Sequence, residues 1–382
     1  MIDPDFFIDA CSFHGIDFFA GVPDSLLKGF CAALAGRSGD FSDIRHIIAA
    51  NEGGAVALAA GHFLATGRPG LVYLQNSGEG NAVNPLLSLA DPAVYGIPMV
   101  LLVGWRGEPG VPDEPQHAAQ GQCTIPLLDA LRVPNEILPP DEEAAEESLV
   151  RLVDRAHAES RPVALVVRKG TFRQPHLRPP VVPDLSSLAR EDALRALLAA
   201  LPPRAFVVGS TGMISREIFE LREHAGEPHD RDFLTVGSMG HASQIALGVH
   251  LARPDLPVVA VEGDGAALMH LGALAIVGRR ADGHYLHVVL NNAAHDSVGG
   301  QPTVADSVDL PAVARACGYD VLPSASTLEG IAAALADSPF EGPRPSFLEI
   351  RVRKGARKDL GRPTVAPAAS KTAFMAALRA ER

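Results

Sequence analysis

The sequence of 382 residues has few cysteines, few lysines and no long apolar run, and each shortage removes a class of function. The four cysteines, Cys11, Cys31, Cys123 and Cys317, are scattered, with no Cys-x-x-Cys pair and no histidine at zinc-finger spacing. A disulfide framework and a structural zinc site are therefore not expected, and these residues are read as small core side chains. Lysine occurs only at positions 28, 169, 354, 358 and 371, and 45 acidic residues outweigh 33 basic ones to give a formal charge of −12. Without a basic run to neutralise phosphates, nucleic acid is excluded as the main partner and a small molecule is expected. Apolar stretches such as Ile97 to Val103 are too short to span a bilayer, and Met1 to Asp5 lacks the charge and apolar run of a signal peptide. The expectation is a soluble, cytoplasmic protein with no membrane partner.

Several catalytic motifs are missing as well. The chain has no Gly-x-x-x-x-Gly-Lys-Ser/Thr loop, no Gly-x-Gly-x-x-Gly after its first strand, no His-Glu-x-x-His and no Gly-x-Ser-x-Gly. Ser77 sits in the turn Gln75 to Gly80 but has Gln75 where a nucleophile elbow needs glycine, so covalent catalysis there is not expected.

What the chain does have is alternation between β-rich runs and Ala- and Leu-rich helical stretches. Strands are predicted at Asp17–Ala20, Arg45–Ile48, Leu71–Leu74, Met99–Val103 and Val163–Val167 in the first half. In the second half they fall at Ala205–Val208, Phe233–Val236, Val258–Val261, His287–Leu290 and Phe347–Val352. The pattern predicts an α/β fold of two tandem domains, each a mainly parallel sheet flanked by helices. A proline-rich segment, 173–186, reads as an extended linker between a domain over 1–172 and another over 187–382. The second domain ends in a short helix capped by Ser370.

The strand Pro257 to Glu262 ends in Gly263-Asp264-Gly265, and the strand Leu286 to Leu290 ends in Asn291-Asn292. With a helix over Ala267 to Arg280 between them, a β-α-β unit returns Asp264 and Asn292 to one sheet edge, where open α/β folds place ligands. Carboxylate and amide oxygens suit Mg²⁺ or Ca²⁺, and the glycines and the helix start favour a phosphate.

Gly263-Asp264-Gly265 through Asn291-Asn292 resembles the cofactor signature of thiamine-diphosphate enzymes, in which Mg²⁺ bridges protein and diphosphate. The resemblance implies that Asp264, the Asn292 side chain and the Ala294 carbonyl hold the metal, although many relatives carry glycine where this chain has Ala293. It also implies a role for Glu52, which follows the strand Arg45–Ile48 and opens an Ala-rich helix, as the acid that protonates the cofactor's pyrimidine ring. In Val236 to His241, Gly237 and Ser238 would contact the cofactor and Met239 would wedge between its rings. The two domains would then bind pyrimidine and diphosphate, without the middle domain of most decarboxylases in this superfamily.

That compact form is similar to the branch containing phosphonopyruvate and sulfopyruvate decarboxylases. Gly21 to Leu27, Gln75 to Leu86, Gly104 to Gly110 and His295 to Thr303 look most like phosphonopyruvate decarboxylases. The implied reaction is thiamine-diphosphate- and Mg²⁺-dependent conversion of 3-phosphonopyruvate to phosphonoacetaldehyde and CO₂, in the biosynthesis of phosphonate natural products. The doubly anionic substrate needs donors, for which Ser25, Lys28, Arg106, His295 and Gln301 are candidates. Asp24 and His117 are candidate proton carriers. A sulfopyruvate decarboxylase and a non-catalytic protein of the same fold are the alternatives. Glu52 and Asp264 lie in different domains, which in the superfamily face each other across subunits, so a homodimer or higher homo-oligomer with active sites at the subunit interface is implied.

Overall fold

Runs of Val, Leu and Ile buried on both faces build two parallel sheets, one in each of two units, Met1–Val181 and Val182–Arg382. The computed structural model describes residues 1–38, 43–174, 184–336 and 338–381. Unit 1 begins with α1 (Pro4–Phe13), β1 (Phe18–Gly21), α2 (Lys28–Arg37), β2 (Arg45–Ile48), α3 (Glu52–Thr66) and β3 (Gly70–Gln75). It continues with α4 (Glu79–Pro85), β4 (Met99–Gly104), α5 (Pro115–Ala130), β5 (Asn135–Ile137), α6 (Glu142–Glu159) and β6 (Pro162–Val167). The six strands are parallel, in the order β2-β1-β3-β4-β6-β5. Alternate side chains enter two cores. Val100, Leu102 and Leu165 pack with α1, α2 and α6, while Leu101, Val103 and Val166 pack with α3 and α5. Burial on both faces makes β4 and β6 continuous apolar runs, the pattern that exposes them in the sequence.

Unit 2 begins with α7 (Arg190–Ala200), β7 (Phe206–Gly209), α8 (Met213–Ala225), β8 (Asp232–Leu234), α9 (Ala242–Ala252) and β9 (Val258–Gly263). There follow α10 (Asp264–Met269), α11 (Ala273–Arg280), β10 (Tyr285–Asn291), the small hairpin β11 (Ala294–His295) and β12 (Gln301–Pro302), and α12 (Leu310–Ala316). The unit closes with β13 (Asp320–Val321), α13 (Leu328–Leu335), β14 (Ser346–Arg351) and α14 (Pro367–Ala380). Its main sheet is also parallel, ordered β13-β14-β10-β9-β7-β8. Counted from its own first strand and read from the opposite edge, this order is that of unit 1, so the units share one topology.

The structure corrects several local expectations. The helix expected over Ala267 to Arg280 is two helices, because His270 leaves helical geometry at φ −130, ψ 50 and Gly272 starts the next helix. The break lays the His270 ring against Gly240, where a Cβ would come within 2.7 Å of it. The terminal helix starts at Pro367, whose missing N–H costs nothing at the first helical position, and Ser370 lies inside it rather than at its cap. Strands β5 and β13, of three and two residues, are too short to show a period in the sequence. Cys11 and Cys31 are core residues, but Cys123 is exposed and Cys317 half-buried. Most of the expected linker, 175–183, lies outside the described residues, and its first residue belongs to unit 1, where the Arg173 N–H bonds to the Ile2 carbonyl at 2.8 Å. Among the described residues no helix is long and apolar enough to cross a membrane.

Candidate functional site

Open parallel sheets bind ligands where the strand order reverses. In unit 2 that point lies between the neighbours β7 and β9. A cleft with about 560 Å³ of empty space, part of it open to solvent, lies there, lined in part by Met239, Gly263, Asp264, Asn292, Ala294 and His295. Because β9 ends at Gly263 and α10 starts at Asp264, this carboxylate is fixed at the sheet edge. Its Oδ2 accepts from the Thr303 hydroxyl, and the backbone N–H of Asn292 approaches Oδ1 at 3.5 Å. Asp264 is only 1% exposed, and burial raises its pKa to about 6 against the lowering effect of those two donors.

The loop after β10 supplies the second half of this cleft. Asn292 Oδ1 accepts from the Ala294 N–H at 3.0 Å, and Nδ2 donates to Asp296 at 2.7 Å. Between these residues Ala293 is buried at φ +53, a left-handed conformation that favours glycine. Asn291 holds it there: its Oδ1 accepts from the Ala293 N–H at 3.0 Å, while its Nδ2 donates to the buried Glu349 at 2.8 Å. His295 and Gln301 face each other across the β11–β12 hairpin. Burial lowers the His295 pKa to about 4, so its ring is neutral at pH 7. Gln301 is buried with Oε1 unpartnered. Gly237, Ser238 and Met239 follow β8, and Ser238 is a second left-handed non-glycine residue, at φ +55.

These residues fit a hard divalent cation that carries a phosphate. The donors are all oxygen, and no basic side chain among the described residues pairs with the buried Asp264 carboxylate. Gly265 keeps the cleft open, since a Cβ there would lie 2.8 Å from the His295 ring.

Unit 1 gathers titratable groups at the same edge of its own sheet. Asn51 caps α3 by accepting from the Gly54 N–H at 2.9 Å, which places Glu52 in the first turn. Glu52 is buried, Asn81 Nδ2 donates to its Oε2 at 2.7 Å, and its carboxyl rests on Gly78, where a Cβ would lie 2.1 Å from Oε1. The adjacent Glu79 is also buried, with Oε1 unpartnered, and burial raises its pKa to about 8, leaving it protonated at pH 7.

Asp24 is fully buried after β1, accepts from the Leu26 N–H at 3.0 Å and packs on Gly104. Burial raises its pKa to about 6 against that bond and the nearby Arg106. Arg106 Nη1 donates to Ser25 Oγ at 2.8 Å, and the rest of the guanidinium is paired with Asp113. Arg106 is therefore neutralised locally rather than a free cation. His117, third in α5, is buried with Nδ1 unpartnered, and burial followed by the Arg106 charge lowers its pKa. Lys28 opens α2 as an exposed side chain. The structure thus joins Asp24, Ser25 and Arg106 in one cluster and does not join Lys28 to it by any hydrogen bond or ion pair.

Sequence reasoning missed Asn81, Glu79, Asp113, Thr303 and Asp296 as neighbours of these groups. Asn81 and Glu79 lie in the stretch Gln75 to Leu86, whose unusual density of polar residues after a buried strand is a usable signal. The pairing of Thr303 with Asp264, 39 positions apart, leaves none.

Two family models match the chain: the N-terminal TPP binding domain of thiamine pyrophosphate enzymes over residues 4–129 and the C-terminal TPP binding domain over residues 208–350. The chain is 38% identical over 369 residues to a phosphonopyruvate decarboxylase of Streptomyces viridochromogenes, covering 93% of this chain and 89% of that protein. It is 37% identical over 367 residues to the phosphonopyruvate decarboxylase of Streptomyces hygroscopicus, covering 92% and 88%. A sulfopyruvate decarboxylase of Methanosarcina acetivorans is 27% identical over 364 residues, 89% of each chain. The chain belongs to the phosphonopyruvate decarboxylase family of thiamine-diphosphate-dependent decarboxylases.

Proposed function

We propose that this protein converts 3-phosphonopyruvate to phosphonoacetaldehyde and CO₂ with thiamine diphosphate and Mg²⁺, in the cytoplasm and as a step of phosphonate natural-product biosynthesis. The observation that carries the choice of substrate is the 38% identity to a phosphonopyruvate decarboxylase over nearly the whole chain, against 27% to a sulfopyruvate decarboxylase. When bound, thiamine diphosphate supplies a sink for the electrons that the departing carboxylate leaves behind.

The chain's own residues hold and protonate. Asp264, the Asn292 amide oxygen and the Ala294 carbonyl would bind Mg²⁺, and Gly237, Ser238 and Met239 would contact the cofactor. Asn81 donates to Oε2 of Glu52, so Oε1 would be the oxygen to hold a proton for the pyrimidine ring. Asp24, with a pKa of about 6, and the neutral His117 would carry protons at neutral pH. Ser25, Lys28, Arg106, His295 and Gln301 would donate to the carboxylate and phosphonate. Because Asp113 neutralises Arg106, that side chain orients an anion more than it attracts one.

A homodimer or higher homo-oligomer, its active sites completed between copies, belongs to the same proposal. The solvent-facing side of α3 carries Gly54, Ala57, Leu58, Gly61 and Leu64, an uncharged strip on the helix that Glu52 opens. Sedimentation should show no active monomer. The substrate choice is tested by comparing kcat/KM for phosphonopyruvate and sulfopyruvate through release of aldehyde. Phosphonopyruvate should lead by about tenfold or more; equal or reversed preference would move the chain to the sulfonate reaction.

A further inference from the structure

Asp296 ties three segments of unit 2 together beside the cleft. Its Oδ2 accepts from Asn292 Nδ2 at 2.7 Å, from Arg190 Nη1 at 2.7 Å and from the Gly355 N–H at 3.0 Å. Arg190, at the start of α7, is 5% exposed and also donates to both oxygens of the buried Glu217, at 2.8 and 3.0 Å. The guanidinium is held from two sides, so the carboxylate it braces has a fixed place.

The chemistry of the contact decides which atom Asn292 offers to the cleft. Asp296 Oδ2 already accepts from Arg190 Nη1 and the Gly355 N–H, so it meets Asn292 as an acceptor and the end of the amide that faces it is the NH₂. The oxygen is then the atom on the side of Ala294, whose N–H it accepts at 3.0 Å. An Asn292 turned the other way would offer nitrogen donors to a site that needs an oxygen ligand.

We propose that Asp296, braced by Arg190, is a positioning residue that sets the amide orientation of Asn292 and thereby completes the oxygen donor set for Mg²⁺. It acts through Asn292 and rests on the Mg²⁺ site proposed above. The sequence hides it, because Arg190 and Asp296 are 106 positions apart.

The test is calorimetric titration of Mg²⁺ into metal-free protein saturated with thiamine diphosphate, with thermal unfolding of each variant recorded alongside. Asp296→Ala removes the acceptor altogether, so Asn292 is free to turn. Its Mg²⁺ affinity should fall by about 10- to 100-fold. Asp296→Glu, which keeps the acceptor oxygens, should recover most of that loss. Asp232→Asn perturbs a different buried ion pair of unit 2, with Arg222, and should change affinity by less than about twofold. In an Asn292→Asp background either rotation offers oxygen, so adding Asp296→Ala should no longer weaken binding. Wild-type Mg²⁺ affinity in folded Asp296→Ala overturns the proposal, and so does an equal loss in Asp232→Asn. Should Asp296→Ala fail to fold, Asp296→Ser serves with the same expected loss and the same overturning result. Thiamine diphosphate binding by the wild type with no dependence on Mg²⁺ overturns the metal site itself, and this proposal with it.

Discussion

Gly78→Ala perturbs the proposed acid without touching its chemistry. A Cβ at position 78 would lie 2.1, 2.4 and 2.5 Å from Oε1, Cδ and Cγ of Glu52, so the buried carboxyl must move. Moving it breaks the 2.7 Å bond from Asn81, a loss of about 0.5–3 kcal/mol. Gly78 has φ −85 and ψ −8, which alanine adopts freely, so the backbone adds no strain. Overpacking costs about 1–3 kcal/mol, so the fold should survive. A displacement of about 1 Å in a reacting group lowers turnover by about 100-fold. The assay is kcat at saturating thiamine diphosphate and Mg²⁺, with Gly80→Ala as the matched control because nothing lies within 4 Å of its added methyl. Gly80→Ala should resemble wild type. Wild-type kcat in Gly78→Ala, or equal losses in both variants, would refute the assigned place of Glu52.

Two further substitutions probe buried strain. Glu79→Gln should stabilise the protein at pH 9 by a few kcal/mol and leave it little changed at pH 4, because the folded carboxyl holds its proton up to about 8 instead of 4.5. Between those values the folded state binds more protons than the unfolded state, so wild-type stability falls as pH rises; urea unfolding of both proteins should give diverging pH profiles, and parallel ones would contradict the burial argument. Ala293→Gly relieves a left-handed alanine at about 1–2 kcal/mol and costs about 0.5–1 kcal/mol in chain entropy. A net gain of up to about 1.5 kcal/mol should appear as a higher unfolding midpoint, and a lower midpoint would show that the turn does not strain Ala293.

Fold and site were legible in the sequence to different depths, for physical reasons. Strands buried on both faces, such as Met99–Gly104 and Pro162–Val167, show as unbroken apolar runs, and the expected bounds of Arg45–Ile48 are the observed ones. The division of Ala267 to Arg280 into two helices was not legible, because His270 and Leu271 interrupt neither hydrophobicity nor charge. Asp264 and Asn292 could be paired in advance because a parallel crossover dictates where neighbouring strands end, and the structure brings the Asn292 N–H within 3.5 Å of Asp264. What surrounds them could not be. The bonds from Thr303 to Asp264 and from Asn292 to Asp296 depend on how the loop after β10 folds back, and Asp113 reaches Arg106 through the path of the loop after β4. Such loop contacts follow side-chain geometry rather than any period in the chain.

The most direct measurement is CO₂ release from phosphonopyruvate by wild type and Glu52→Gln, each with thiamine diphosphate and Mg²⁺, with cofactor binding measured in parallel. Removal of a general acid should cost about 100- to 10,000-fold in turnover, so wild type should release CO₂ and Glu52→Gln should release it at least about 100-fold more slowly while still binding the cofactor. No release by wild type, or equal rates in the two proteins, would contradict the account.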